Sequence, residues 1–160
     1  MDAPAALLLV LALVAVSTVL GLVYRGRQGR ILDVTDPTVL GPADVGSVLP
    51  FGAAATLVQF STVHCARCPA THRLLGHIAA ERPGVAHVNV DLTHRADLAS
   101  RFGVLQTPTT LILDGAGRMH ARVGGPPHRA DVLRHLDQLA GHDSANPTPT
   151  PIIPGSTHDQ

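Results

Sequence analysis

The 160-residue sequence contains no lysine and no tryptophan, and aromatic residues make up only 2% of the chain. Its 12 basic and 12 acidic side chains cancel to a formal net charge of zero at pH 7. A nucleic-acid-binding surface needs clustered basic residues in excess, often with aromatic side chains between them. We therefore predict that this protein has no nucleic-acid partner.

Cysteine is also scarce, since the chain has only Cys65 and Cys68, within the segment STVHCARCPATHRLL. A disulfide between two residues so close in sequence closes a loop that is too short to restrain the unfolded chain much. The pair is therefore not a disulfide whose main role is to stabilise the fold. A redox couple, a metal site and a chance spacing remain as explanations.

Near the N-terminus lies an uncharged run of 19 residues, AALLLVLALVAVSTVLGLV, which covers residues 5–23. As a helix this run is about 28 Å long, close to the hydrocarbon thickness of a bilayer. A cleaved signal peptide is the weaker interpretation, because Asp2 is the only charged side chain before the run and no clear cleavage site follows it. We predict a single-pass membrane anchor over residues 1–24.

The flanks of the run predict its orientation and the limits of the folded part. Arg25, Arg27 and Arg30 follow the run directly, and positive charge beside a spanning helix tends to stay in the cytoplasm. The catalytic part of the chain is therefore expected on the cytoplasmic side, with the extracytoplasmic side as the alternative. Residues 25–50 are predicted to form a tether with room for a short strand or helix at its end, and the tail 141–160, rich in proline and threonine, is predicted to be disordered.

Between these ends, residues 51–140 show short apolar runs that alternate with amphipathic stretches. The pattern predicts the order βαβαββα, an α/β fold with a central mixed sheet flanked by helices. Strands separated by helices favour parallel pairing, and a short link favours an antiparallel hairpin. The predicted strands are 56–60, 85–92, 109–114 and 118–123, and the predicted helices are 69–80, 94–102 and 128–140.

Three motifs in this domain form a specific combination. They are the Cys-x-x-Cys pair at a strand-to-helix turn, the run Gln106-Thr107-Pro108-Thr109 before the third strand, and the pair Gly124-Gly125 after the fourth. With this combination of motifs, residues 55–140 resemble a thioredoxin-family domain. Together with the predicted anchor, the whole chain looks like a membrane-anchored thioredoxin-like protein. The resemblance implies a thioredoxin-like fold, a cis peptide bond before Pro108, and substrate binding along Thr107 and Pro108.

The same resemblance implies a protein-disulfide oxidoreductase that needs no cofactor. Its expected partners are disulfide-containing protein substrates and an upstream electron donor of the reductase type. Where family members commonly read WCGPCK, this chain reads HCARCP. The buried acid that the family usually carries six residues before the first cysteine is replaced here by Gln59, so proton transfer is expected to use His64 or water.

The chemistry of the residues supports redox function independently. Cys65 lies where a strand ends and a helix begins, so free amides, the helix dipole and the nearby Arg67 favour its thiolate. Cys68 lies one turn further on and can resolve a mixed disulfide on Cys65. His64 and Arg67 are candidate modulators of the cysteine pKa.

Two alternatives to redox chemistry stay open. His64, Cys65, Cys68 and His72 offer thiolate and imidazole groups that suit a soft metal, which would make the protein a copper or zinc binding or delivery protein. A redox-inactive binding domain on the same fold is the second alternative. The main interpretation assigns no metal, and the remaining histidines, His87 among them, are interpreted as surface residues.

Overall fold

The structure, a computed structural model, describes residues 3–27, 31–34 and 38–145. Helices and strands alternate along most of the chain. In order they are α1 (Ala3–Arg27), β1 (Ile31–Asp33), a 3-10 helix (Pro42–Val45), β2 (Ala55–Ser61), α2 (Cys68–Glu81), β3 (Val85–Asp91), α3 (Ala96–Arg101), β4 (Thr109–Asp114), β5 (Met119–Gly124) and α4 (Arg129–Ala145).

The strands form one mixed sheet in the order β1-β5-β4-β2-β3. β2 pairs parallel to β3, whereas β4 pairs antiparallel to both β2 and β5. All residues of β2 and β4 are buried, as expected of central strands that are covered on both faces. The predicted βαβαββα order from β2 onward and the mixed sheet are confirmed.

The direction of β4 differs from the parallel pairing predicted for strands that are separated by helices. Phe60, at the end of β2, pairs with Thr109, at the start of β4. The intervening α3 has six residues and is about 9 Å long, whereas a seven-residue strand extends about 23 Å. A helix this short does not carry the chain back along the sheet, so β4 starts at the end where β3 finishes.

Two hydrophobic clusters cover the two faces of the sheet. Successive side chains of a strand point to opposite faces, so Leu57 belongs to one cluster and Val58 to the other. The first cluster includes side chains of α2 and α4, such as Leu75 and Val132. The second includes Leu98 of α3. Burial on both faces thus holds β2, and the loop that follows it, in a fixed position.

The segment predicted as a tether contributes more to the folded domain than the short strand or helix that was expected at its end. Ile31 of β1 pairs with Val123 of β5, and Leu40 donates its backbone N–H to the carbonyl of Gly117 at 2.9 Å. Val45 is fully buried in the core. A strand of three residues is too short to show a period of two, so its position depends on the exposed edge of β5. Residues 28–30 and 35–37 of the predicted tether lie outside the described residues.

The C-terminal helix is longer than predicted. α4 continues to Ala145, so residues 141–145 of the predicted disordered tail are helical. Gly141 lowers helix stability by only about 1 kcal/mol relative to alanine, and proline first appears beyond it at Pro147. The remainder of the predicted tail, residues 146–160, lies outside the described residues.

Helix α1 covers residues 3–24 of the predicted membrane anchor, and residues 1–2 lie outside the described residues. Its large apolar side chains are between 50% and 68% exposed, from Leu7 to Val23. Among the described residues, however, no helix is found that is both long and apolar enough to cross a membrane. The predicted single-pass anchor is therefore not confirmed.

Candidate functional site

The two cysteines form a disulfide at the junction of β2 and α2. Cys65 and Cys68 have Cα atoms 5.4 Å apart, and α2 begins at Cys68. A short turn shapes the segment, because Cys65 donates its backbone N–H to the carbonyl of Thr62 and Cys68 donates to that of Cys65. Cys68 is only 5% exposed, whereas Cys65 is half-buried. Cys65 is therefore the more accessible of the two sulfur-bearing residues.

The loop before β4 lies beside this turn. The Thr107–Pro108 peptide bond is cis, which confirms the expectation from the family resemblance. Thr107 and Thr62 share a hydrogen bond of 3.4 Å between their hydroxyl oxygens. Gly125, with a φ of 88° that favours glycine, donates its N–H to the carbonyl of Pro108 at 2.8 Å. The structure thus brings Thr107 and Pro108 next to the loop that carries the disulfide.

The candidate modulators His64 and Arg67 are both exposed, in the turn between β2 and α2. They flank Cys65 in sequence, but their influence on cysteine chemistry stays a prediction.

A buried glutamine lies directly behind the disulfide. Gln59 has no solvent exposure, and its Nε2 donates to the carbonyl oxygen of Cys68 at 3.1 Å. Its Oε1 lies 3.2 Å from Nε2 of His87. Gln59 therefore links the first residue of α2 to a histidine on β3.

The interpretation of His87 as a surface residue was wrong. Its side chain is partly buried under α2, and its ring lies edge-on to that of His72 with the ring centroids 4.8 Å apart. Burial first, and then the nearby positive charge of His72, together lower the pKa of His87 to about 4. A sequence signal existed, because in VAHVNVDL the residues His87, Asn89 and Asp91 alternate with buried valines and so share one face of the strand.

A cavity of about 300 Å³ opens beside the disulfide. Both cysteines, the glutamine behind them and His72 contribute to its walls. Its lining residues are Gln59, Ser61, Thr62, Val63, Cys65, Cys68, Pro69, His72, Asn89 and Asp91. A disulfide at the edge of a cavity is accessible to a second sulfur.

The alternative of a metal site depends on clustered ligands. Across residues 3–27, 31–34 and 38–145, no group of three or more histidine, cysteine or acidic side chains is placed to hold a metal ion. In this structure the two cysteines bond to each other and the ring of His72 packs against His87.

Together, the mixed sheet, the disulfide at the start of α2 and the cis-proline loop beside it define a thioredoxin-like domain. The sequence model of the family Thioredoxin matches residues 48–138, which is more than half of the chain. The protein belongs to the thioredoxin family.

Solved structures with this fold are distant in sequence. Chloroplastic thioredoxin z is 23% identical, with a TM-score of 0.50 over 56% of this chain and 80% of its own. A thioredoxin of Nicotiana alata is 24% identical, with a TM-score of 0.48 over 54% and 73%. Thioredoxin-2 of the malaria parasite is 20% identical, with a TM-score of 0.49 over 53% and 82%. The comparison with curated proteins found no match.

Proposed function

We propose that this protein is a thiol:disulfide oxidoreductase that reduces or exchanges disulfides of protein substrates. The observation that carries the proposal is the Cys65–Cys68 disulfide at the start of α2. The disulfide lies at a cavity edge, where a partner sulfur can reach it. A dithiol at this position alternates between a bonded and a reduced state by thiol–disulfide exchange.

In the proposed cycle, the Cys65 thiolate of the reduced protein attacks one sulfur of a substrate disulfide. A mixed disulfide forms, the substrate S–S bond breaks, and the other substrate sulfur leaves as a thiolate that takes up a proton. Cys68 then attacks Cys65, so the Cys65–Cys68 bond forms while the bond to the substrate breaks and the substrate leaves as a thiol. The greater exposure of Cys65 supports this order. An upstream donor of the reductase type returns the pair to the dithiol state.

Substrate recognition is proposed at the loop before β4. Thr107 and Pro108 lie beside the disulfide-bearing turn, and the neighbouring Leu105 is 97% exposed while Val63 is 68% exposed. An extended segment could lie along the backbone here while an apolar side chain contacts Leu105 or Val63. We propose that protein segments rather than small disulfides are the natural substrates.

Activity is tested with the reduced full chain in detergent, with a protein disulfide as substrate and a regenerating thiol. We expect turnover that survives a strong chelator, because the proposed mechanism uses only sulfur and proton transfer. Metal content is measured on the same samples. Stoichiometric zinc or copper together with no reductase activity in metal-free protein would instead favour the soft-metal alternative.

We also propose that α1 attaches the protein to a membrane as a single-pass anchor. Residues 5–23 carry no charge, and the exposed apolar side chains of α1 lie on all sides of the helix. A helix that is apolar all round is stable only when another apolar phase covers it. With Arg25, Arg27 and Arg30 after the run, we propose that the domain faces the cytoplasm.

Cell fractionation tests this attachment. The full chain is expected in the membrane fraction after an alkaline wash, whereas a variant without residues 5–23 is expected in the supernatant. A C-terminal reporter that is active only in an oxidising, extracytoplasmic space is expected to stay silent. Recovery of the full chain in the supernatant would disprove the attachment, and a strong reporter signal would reverse the orientation.

A further inference from the structure

The sheet face beneath α2 changes from apolar to polar as it approaches the disulfide. Leu57 and Ile112 pair with each other within the hydrophobic cluster, while the next pair on the same face is Gln59 and Thr110. On β3, the residue paired with Gln59 is Asn89. Polar side chains are thus concentrated under the first turns of α2, where Cys68 lies.

Most of these groups are poor acceptors for a proton from Cys68. The amide of Gln59 is not a base, and it is hydrogen-bonded at both ends. Because its Nε2 donates to the Cys68 carbonyl, its Oε1 is the acceptor and Nε2 of His87 is the donor. This hydrogen bond fixes the orientation of the His87 ring, and burial, which lowers the pKa of His87 to about 4, keeps that ring neutral near pH 7.

Asp91, on the same cavity wall, is also a weak base. Its carboxylate accepts hydrogen bonds from the hydroxyl and the backbone N–H of Thr93. These hydrogen bonds, the hydroxyl one first, lower the pKa of Asp91. Among the described residues besides His72, the titratable ones that line this cavity are Cys65, Cys68 and Asp91, and the ring of His87 lies against the ring of His72.

His72 is the remaining imidazole, and its position suits proton exchange with Cys68. It lies four residues after Cys68 on α2, so both side chains are on the same side of the helix, and both line the same cavity. His72 is exposed to solvent, and its ring rests on the neutral ring of His87. His72 therefore lies between the solvent and the cavity wall to which Cys68 contributes.

We propose that His72 accepts the thiol proton of Cys68 in the resolving step, directly or through one water molecule, and then passes it to the released substrate thiolate, with His87 and Gln59 as positioning residues. The inference rests on the proposed function and deepens it. As the Cys68 sulfur bonds to Cys65, the bond between Cys65 and the substrate sulfur breaks, and its electron pair leaves on the substrate sulfur. The proton passes from Cys68 to His72 and then to the released thiolate. The substrate disulfide is the only oxidant needed.

The experiment follows both half-steps with an aromatic disulfide, 5,5′-dithiobis(2-nitrobenzoic acid), and the reduced full chain in detergent. The first thionitrobenzoate released reports attack by Cys65, and the second reports closure by Cys68. In H72Q we expect closure to slow at least about 10-fold at pH 6 to 7, while the first release changes by less than about twofold. The difference in closure rate between H72Q and the unmodified protein should shrink above about pH 8.5, where thiols ionise without a general base. Added imidazole should restore part of the lost rate.

H77Q is the matched control, because His77 is an exposed histidine on the same helix and does not line the cavity. It should behave as the unmodified protein in both phases. H72N provides a second variant in case H72Q folds poorly, and circular dichroism checks the fold of each.

Closure in both His72 variants with the unmodified rate and pH profile would overturn the inference while leaving the proposed function intact. If closure slowed by the same factor at every pH, His72 would have a structural role only, and this result would also overturn the inference. If the unmodified protein released no second thionitrobenzoate, the proposed function itself would fail.

Discussion

Replacing Cys68 with serine is expected to convert the protein into a covalent trap for its substrates. In this variant Cys65 still attacks a disulfide, but no second thiol resolves the adduct, so mixed disulfides accumulate. Gels of whole-cell extract without reductant should show new high-mass bands that disappear on reduction. These bands would also identify the natural substrates by mass spectrometry.

Replacing Cys65 with serine gives the matched control and the second half of the prediction. Because the accessible nucleophile is lost, turnover should fall at least about 1,000-fold and few adducts should form. A reversed trapping pattern, or reductase activity in both single variants, would contradict the assignment of Cys65 as nucleophile and Cys68 as resolver.

Replacing Phe60 with alanine is expected to cause the largest loss of stability among single core substitutions of β2. The Phe60 side chain is 0% exposed, and its ring centroid lies 5.2 Å from that of Phe102. Removing a buried ring costs about 3 to 5 kcal/mol, a large part of the roughly 5 to 15 kcal/mol that stabilises a typical domain. Denaturant unfolding of the full chain in detergent measures the change.

The control for this substitution is Leu105→Ala, at an apolar position that is 97% exposed. Its effect on unfolding should stay within about 0.5 kcal/mol, even though it could weaken substrate binding. A loss below about 1 kcal/mol for F60A would show that the sheet face around Phe60 repacks, and that the position of the adjacent disulfide loop depends less on this ring than we expect.

Much of the fold was predictable because the sequence patterns that indicate its strands and helices each lie within one short segment of the chain. The run TLVQF predicted β2 since a strand buried on both faces is apolar almost throughout, and the structure places β2 at Ala55–Ser61. The site was predictable in outline because Cys65, Cys68 and Pro108 belong to motifs with fixed positions. The cis bond before Pro108 followed from the family resemblance alone, since most X-Pro bonds are trans.

The remaining features depend on contacts between distant parts of the chain. β1 has three residues and acquires its structure from the edge of β5. The link from Cys68 through Gln59 to His87 joins α2, β2 and β3, and only the register of the sheet brings these residues together. Propensity and spacing within one segment carry no information on such a register.

The early position of β1 also sets how far the domain can move from α1. Only four Cα-to-Cα steps separate Arg27, the last residue of α1, from Ile31, the first residue of β1, and an extended chain covers at most about 14 Å in that number of steps. From β1 to β2 the sheet adds three strand spacings, again about 14 Å. Under the proposed membrane attachment, the disulfide therefore stays within a few nanometres of the lipid headgroups. Substrates would be chosen as much by how close their disulfides come to that surface as by their sequence.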